Sequence, residues 1–237
     1  SIGKMVPIQD PANLLTLKSE PYNELIVDSE AFHHPLPHFA DIRPVHPIEA
    51  YVDRKLFIHN MGHSAAAYLG HRCHPKRATI AEVLEDEQIR KQVHDAMQQS
   101  RDILLALHPT VFTKESLDTH ILDLLKRFSN HALGDTVHRV GRDLKRKLRY
   151  DDRLLGVIIE AERLGMAWEC IGRAYLQALG FVAPDSNGEP YPPDAIFLDE
   201  LEKWSWPEKL YKASSWEESS LGKDLCFTLA DKLQALT

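Results

Sequence analysis

The chain has 237 residues, of which 43% are hydrophobic and 27% are charged, and its formal net charge is −7 at pH 7. The composition is typical of a folded globular protein, and the negative charge argues against a nucleic-acid partner, whose binding needs a basic excess. No apolar run approaches the roughly 18 residues of a membrane span, so we expect no membrane partner. Cys73, Cys170 and Cys226 are widely spaced and form no metal or disulfide motif, which favours a reducing, cytoplasmic setting.

The first 45 residues are predicted to form short strands and a stiff connector. Runs of β-forming residues bounded by proline turns predict strands at 4–8, 14–18 and 24–27. The prolines between 34 and 47 then predict an extended linker that leads into the next element.

Helical periodicity dominates from residue 48 onwards, so the predicted fold class is mainly α, preceded by a few short strands. Thr113 is a candidate N-cap, Gly165 and Gly180 are candidate helix ends, and 183–194 is a predicted loop. The predicted helices cover 48–70, 78–84, 86–107, 114–128, 135–147, 151–164, 166–179, 195–204 and 220–236.

A run of polar side chains in the first long helix, at 53–63, suggests chemistry. At about 100° per residue, Lys55, His59 and His63 lie one above another, with Asn60 at the edge of the same face. Lys55 can act as a proton acceptor if burial lowers its pKa towards ~7–8, and Asn60 can donate a hydrogen bond to a developing oxyanion. His63 can bind a neighbouring hydroxyl.

The pattern Lys-x4-Asn-x2-His, formed by Lys55, Asn60 and His63, resembles the active-site signature of the polyol-specific long-chain dehydrogenases. Four sequence words in the same order resemble the mannitol-1-phosphate 5-dehydrogenase branch of that family. These words lie at 51–57, 60–68, 127–130 and 139–148. The resemblance therefore covers most of the chain up to about residue 160.

The resemblance implies a two-domain dehydrogenase, of which this chain supplies the multi-helical C-terminal substrate domain. Lys55 is then the general base, Asn60 is one of two asparagines that polarise the substrate oxygen, and His63 positions the substrate. The sequence has no Gly-x-Gly-x-x-Gly fingerprint, so we expect NAD and the second asparagine in an N-terminal nucleotide-binding domain. Residues 1–45 would be its trailing strands and linker, and 46–237 the catalytic domain. The start at Ser1, without methionine, suggests a piece of a longer protein that is inactive without that domain.

Basic residues between 127 and 147 form a second candidate site. On the predicted helix 135–147, three arginines share one face, and Asp135 and Asp143 pair with Arg139 and Lys147 four residues later. The pattern fits either a solvated surface helix or an anion clamp that holds a phosphate. The resemblance favours a sugar phosphate and places two of these residues, at 127 and 130, near the polyol. The candidate substrate-binding residues are Arg127, Asn130, Arg139, Arg142, Arg146 and Lys147.

Several alternatives stay open. The substrate is a polyol phosphate, an unphosphorylated polyol such as mannitol, or a sugar acid of the fructuronate or altronate type. A helical interaction module without catalysis would instead leave Lys55 solvated. His59 and His63 have a zinc-ligand spacing, but Asn60 replaces the Glu of the His-Glu-x-x-His motif, so we predict no metal. The Trp-rich segment 183–216 is either a partner surface or a loop that caps the core.

Overall fold

A computed structural model describes residues 24–34 and 40–237 of the chain. The fold of these residues is mainly helical and has two short strands near its start, as predicted, and none of its helices is long and apolar enough to cross a membrane. The strands predicted at 4–8 and 14–18 lie outside the described residues. The elements are β1 (Leu25–Asp28), β2 (Ile42–Val45), α1 (Ile48–Asp53), a π-helical segment (Arg54–Asn60), α2 (Met61–Cys73), α3 (Ile80–Val83), α4 (Glu87–Leu107), α5 (Lys114–Phe128), α6 (Val137–Gly141), α7 (Leu144–Lys147), α8 (Leu155–Leu164), α9 (Glu169–Ala178), α10 (Pro192–Leu201), α11 (Trp206–Ala213) and α12 (Lys223–Gln234).

The two strands form a small parallel sheet at the edge of the helical body. Ile26 of β1 and Val45 of β2 are buried and anchor the pair to the hydrophobic core. The strand predicted at 24–27 is confirmed, but the prediction of a linker over 34–47 is wrong for β2. Pro44 suggested a connector, yet it lies exposed in a strand at the edge of the sheet, where a residue without an N–H is tolerated.

The helix predicted to carry the site lies at the centre of the fold. Helix α1, the π-helical segment and α2 follow one another without a break over residues 48–73, and α2 packs against α4, α6 and α9. Small residues permit this close packing: a Cβ added at Gly62 would lie 2.7 Å from Sδ of Met97, and one at Gly70 would overlap the side chain of Val83. Gly62 and the small residues at 64–67 are all buried and form a close packing face of α2.

Helix boundaries that depend on local sequence agree with the predictions. Thr113 and Ser116 form reciprocal hydrogen bonds between side chain and backbone at the start of α5, the arrangement of a capping box. Gly165 has a φ of 65° and ends α8, a conformation that glycine adopts without strain.

The prediction of a single helix over 135–147 is wrong. Helix α6 ends at Gly141, and Asp143 has a left-handed φ of 75° before α7 begins. The Asp194 carboxylate accepts hydrogen bonds of 2.8 Å from the backbone N–H groups of Asp143 and Leu144, and so caps α7 from a distant part of the chain. Because the helix is interrupted, the arginines of this region do not share one helical face.

The Trp-rich segment contains two helices. Helix α10 begins at Pro192 rather than at 195, and α11 was not predicted. Each has a proline in its first turn, where the missing N–H costs no hydrogen bond. Trp216 is 1% exposed, and Trp206 donates a 2.7 Å hydrogen bond from Nε1 to the Ala230 carbonyl, so this segment covers the core.

Gly70→Ala is expected to destabilise the protein by about 1–3 kcal/mol, since the new methyl group overlaps Val83 in a packed interface. Helix propensity alone predicts the opposite sign, a gain of roughly 1 kcal/mol. Gly180→Ala is the control, because a Cβ there meets nothing within 4 Å. Urea unfolding measures both variants, and a Gly70→Ala protein as stable as wild type would contradict the packing.

Candidate active site

The polar run 53–63 falls on the π-helical segment, in which backbone hydrogen bonds join residues five apart. The N–H of Met61, for example, reaches the carbonyl of Leu56. The wider turn moves residues five apart towards one another, so Asn60 comes closer to Lys55 than the α-helical prediction placed it. Phe57 and Ile58 are buried on the other side and fix the segment in the core. Such insertions are frequent at functional sites.

Lys55 is partly buried on this segment, and desolvation lowers the pKa of its ammonium from the ordinary 10.5. A lowered pKa is what a lysine needs to act as a base near neutral pH. The interaction-module alternative requires a solvated Lys55, and the partial burial of this residue argues against that alternative.

His63 is held on two sides. Its ring stacks on Phe128 with centroids 4.5 Å apart and planes 9° from parallel. Its Nε2 lies 2.9 Å from Oδ2 of Asp135, and their side chains are only 12% and 7% exposed. The two atoms are within ion-pair distance, yet among residues 24–34 and 40–237 neither has a partner that meets the geometric requirements of a hydrogen bond. This pair therefore has unused capacity for a ligand hydroxyl.

Burial lowers the pKa of His63, and the Asp135 carboxylate only partly offsets it, so the imidazole is neutral at pH 7. Burial would raise the pKa of Asp135, but the neighbouring His63 and Arg139 bring it below its ordinary value. A neutral ring beside an ionised carboxylate can donate one hydrogen bond and accept another.

Asp135 is the residue that sequence reasoning missed at this site. It was predicted only as the partner of Arg139, and that pair is confirmed, with Nε of Arg139 2.7 Å from Oδ1 of Asp135. Its contact with His63 links residues 72 positions apart, and nothing local in the sequence indicates it. The Asp135 carbonyl accepts a 2.9 Å hydrogen bond from the N–H of Ile80, which fixes the backbone here.

The structure separates the residues of the predicted anion clamp. Arg139 lies beside the His63–Asp135 pair. Arg146 lies 2.6 Å from Asp143 and 3.3 Å from Asp152, and the Arg142 guanidinium stacks over the Tyr191 ring.

Lys147 is 5% exposed, and its ammonium donates hydrogen bonds to the carbonyls of Val140 and Arg142. The predicted pairing of Asp143 with Lys147 is therefore wrong, because Lys147 points into the α6–α7 turn and Asp143 pairs with Arg146. Burial, together with Arg153 and Arg146, lowers the pKa of Lys147 to about 7. It lies within electrostatic range of His63.

Two further predicted residues lie at the end of α5. Arg127 is 18% exposed, lies 3.5 Å from Asp123 and influences the pKa of His59, so it belongs to the surroundings of the polar segment. Asn130 is exposed, and its side chain accepts a 3.0 Å hydrogen bond from the N–H of Ala132, which caps a short 3₁₀ turn.

The zinc alternative gains no further ligands in the described part of the chain. The rings of His59 and His63 lie 6.3 Å apart between centroids. Over residues 24–34 and 40–237, no three His, Cys, Asp or Glu side chains are grouped so that they could hold a metal ion.

Comparison with known proteins identifies relatives of this chain. The family model for the mannitol dehydrogenase C-terminal domain matches residues 47–221. A mannitol-1-phosphate 5-dehydrogenase of Brevibacillus brevis is 29% identical over 214 residues, which are 90% of this chain and 53% of that protein. One of Emericella nidulans is 32% identical over 192 residues, 80% of this chain and 49% of its own length. The chain thus spans about half the length of these curated relatives.

Solved structures share the fold. The Pseudomonas fluorescens mannitol 2-dehydrogenase, solved as a ternary complex with NAD and D-mannitol, matches 84% of this chain and 42% of its own, with a TM-score of 0.62 and 19% identity. A D-sorbitol dehydrogenase in substrate-free form matches 81% of this chain and 40% of its own, with a TM-score of 0.56 and 17% identity. The family model covers most of the chain and the fold agrees, so the protein belongs to the mannitol dehydrogenase family, as a C-terminal domain.

Proposed function

We propose that this chain is the substrate-binding and catalytic domain of an NAD-dependent dehydrogenase that interconverts mannitol 1-phosphate and fructose 6-phosphate, with Lys55 as general base. The observation that carries the proposal is the π-helical segment, which draws Asn60 towards Lys55 one turn before His63. Family membership supports the reaction class, and the relatives named mannitol-1-phosphate 5-dehydrogenase support the substrate.

In this proposal, residues of this chain carry out the proton transfer. Lys55, whose pKa is lowered by partial burial, accepts in its neutral form the proton of the substrate hydroxyl as the carbonyl forms. Asn60 donates an amide N–H to the same oxygen and stabilises its developing negative charge without changing its own protonation state. The two groups therefore act on one oxygen atom from neighbouring positions on one helix.

The His63–Asp135 pair positions the substrate. A polyol presents hydroxyls on adjacent carbons, and a hydroxyl can donate to the carboxylate and accept from the imidazole at the same time. The two unsatisfied buried atoms of this pair match that requirement. Arg139 and Lys147 lie within electrostatic range of His63 and complete the proposed polyol subsite.

Lys147 is not the base in this proposal, although its pKa is also lowered. Its ammonium donates hydrogen bonds to two backbone carbonyls in the turn between α6 and α7, and these bonds favour the charged form. Lys55 has the position that the chemistry requires, beside Asn60.

NAD is the proposed cofactor, supported by the Pseudomonas fluorescens enzyme that was solved with NAD and D-mannitol. The described residues do not fit a dinucleotide by themselves, since their sheet has two strands and the sequence has no Gly-x-Gly-x-x-Gly fingerprint. We therefore assign NAD mainly to an N-terminal nucleotide-binding domain that residues 1–45 join to the substrate domain at 46–237. The second oxyanion asparagine belongs to that domain as well.

Lys55→Ala in the full-length protein is expected to lower kcat for mannitol 1-phosphate oxidation roughly 10²–10⁴-fold, the usual contribution of a positioned base. In the wild type, kcat should rise with pH, because the neutral amine is the active form, with a midpoint below 10.5. Initial rates from about pH 6 to about pH 10 measure both effects. Lys145→Ala, at an exposed lysine of α7, is the control. A Lys55→Ala enzyme with wild-type kcat would contradict the assignment.

Asn60→Ala is expected to reduce kcat by roughly 10²–10³-fold with little change in KM, since its hydrogen bond strengthens only as charge develops on the oxygen. Asn187→Ala, in an exposed loop, should leave both constants unchanged. Steady-state kinetics measure kcat and KM of both variants, and a loss of less than tenfold in kcat for Asn60→Ala would argue against an oxyanion role.

Asp135→Asn is expected to raise KM for the polyol by roughly ten- to a hundredfold, because a hydrogen bond to a charged group contributes about 1.5–3 kcal/mol. The pKa of His63 should fall further, since the carboxylate that raises it has been removed. Imidazole NMR measures this pKa and separates electrostatics from misfolding. An unchanged KM together with an unchanged His63 pKa would exclude the positioning role.

A further inference from the structure

A side-chain hydrogen bond joins the start of the π-helical segment to helix α4. Asp53 is the last residue of α1 and immediately precedes the segment, and its side chain makes no capping hydrogen bond there. Its carboxylate instead reaches α4, where Oδ2 lies 2.8 Å from Nε2 of His108. Both side chains are partly buried, so solvent screens this contact less than it screens a pair on an open surface.

The position of His108 is fixed by the end of α4. Pro109 cannot continue the helix, so His108 is its C-cap residue, and its N–H donates a 2.8 Å hydrogen bond to the Leu104 carbonyl. The His108 ring makes an edge contact with that of Phe112, with centroids 6.3 Å apart. Phe112 makes a similar contact with Tyr51 of α1, at 5.2 Å. The imidazole that Asp53 contacts is therefore held in place by both α4 and α1.

Helix α4 also contacts the far end of the π-helical segment. Met97 lies 11 residues before His108, three helical turns, and therefore on the same face of α4. Its side chain packs against Gly62, which follows the segment closely in α2. One face of α4 thus contacts the chain on both sides of the segment, which lies between Asp53 and Gly62.

The contact with His108 lies where the backbone register changes. The N–H of Arg54 still reaches the carbonyl of Ala50, four residues back, whereas the N–H of Met61 reaches that of Leu56, five residues back. Single π-helical turns are rare within α-helices, so contacts from neighbouring elements are needed to select this register. A displacement of about 1 Å at a reacting group can lower a rate about a hundredfold, so the chemistry is sensitive to such contacts.

Resting on the function proposed above, we propose that Asp53 and His108 are positioning residues, whose hydrogen bond fixes the start of the π-helical segment and so holds Lys55 beside Asn60. Neither residue contacts the substrate in this arrangement. Asp53 is two residues before Lys55, so a change at the carboxylate passes along the backbone directly to the base. The pair therefore acts on the rate of proton transfer rather than on binding of the polyol.

Two substitutions of His108 in the full-length protein test the role of the hydrogen bond. His108→Leu removes it, so kcat for mannitol 1-phosphate oxidation should fall about ten- to a hundredfold while KM stays within about threefold. His108→Gln keeps a side-chain N–H close to the position of Nε2, so its kcat should stay within about threefold of wild type. An unchanged kcat in His108→Leu, or equal losses in both variants, would overturn the proposal.

A second histidine–aspartate pair on α4 provides the matched control. Nε2 of His74 lies 2.6 Å from Oδ2 of Asp86 at the other end of α4, and both side chains are partly buried. His74→Leu therefore breaks a comparable contact away from the π-helical segment and should leave kcat unchanged. A loss of kcat as large as that of His108→Leu would show that any weakening of α4 has this effect, and would overturn the proposal.

Asp53→Ala tests the same hydrogen bond from its other side and does not depend on the folding of His108→Leu. The loss of kcat should again be about ten- to a hundredfold. In the double variant with His108→Leu the loss should be no greater than in either single variant, because the two residues act through one contact. Losses that multiply, or an unchanged kcat in Asp53→Ala, would contradict the proposal.

The pKa of Lys55 gives a readout that does not depend on turnover. Partial burial lowers this pKa, so a less firmly held side chain should show a rise towards 10.5 in His108→Leu but not in His108→Gln. NMR with isotope-labelled lysine measures it, and a value unchanged in His108→Leu would overturn the positioning role. A wild-type protein that oxidises no polyol but shows this rise would refute the proposed function alone, so the two failures can be told apart.

Discussion

The site depends on the register of one π-helical segment, Arg54–Asn60, in the middle of a buried helix. In a regular α-helix Asn60 would lie only at the edge of the face that carries Lys55. The wider turn corrects this, and the buried side chains of Phe57, Ile58 and Met61 hold it in place. Inserting a residue into a helix weakens its hydrogen bonding, so the core around the segment must offset that cost.

Two kinds of electrostatic environment surround this segment. On one side, the carboxylate of Asp135 pairs with His63 and suits neutral hydroxyl groups, which both accept and donate hydrogen bonds. Around His59 and His120, by contrast, burial and neighbouring positive charges lower the pKa values of both imidazoles.

Several features of the fold could be predicted because their causes are local. The capping box at Thr113 and the left-handed glycine at Gly165 mark helix ends by their own sequence. The Lys55, Asn60 and His63 pattern, with the family resemblance it carries, led to the candidate site in the same way.

The remaining features depend on contacts between distant residues. Asp194 interrupts the helix predicted over 135–147 by capping α7 from 51 positions after Asp143, and this interruption separates the arginines. The strand β2 forms only because β1 is there to pair with it. Hydrophobic periodicity that is read with α-helical spacing cannot predict the π-helical register. The contact of His63 with Asp135 likewise follows from the packing of α2 against α6.

The most direct measurement is product analysis with the full-length protein, NAD and mannitol 1-phosphate. We expect equal amounts of NADH and fructose 6-phosphate, identified by mass spectrometry and enzymatic assay. A folded, NAD-binding protein that forms neither product from mannitol 1-phosphate would contradict the proposed function.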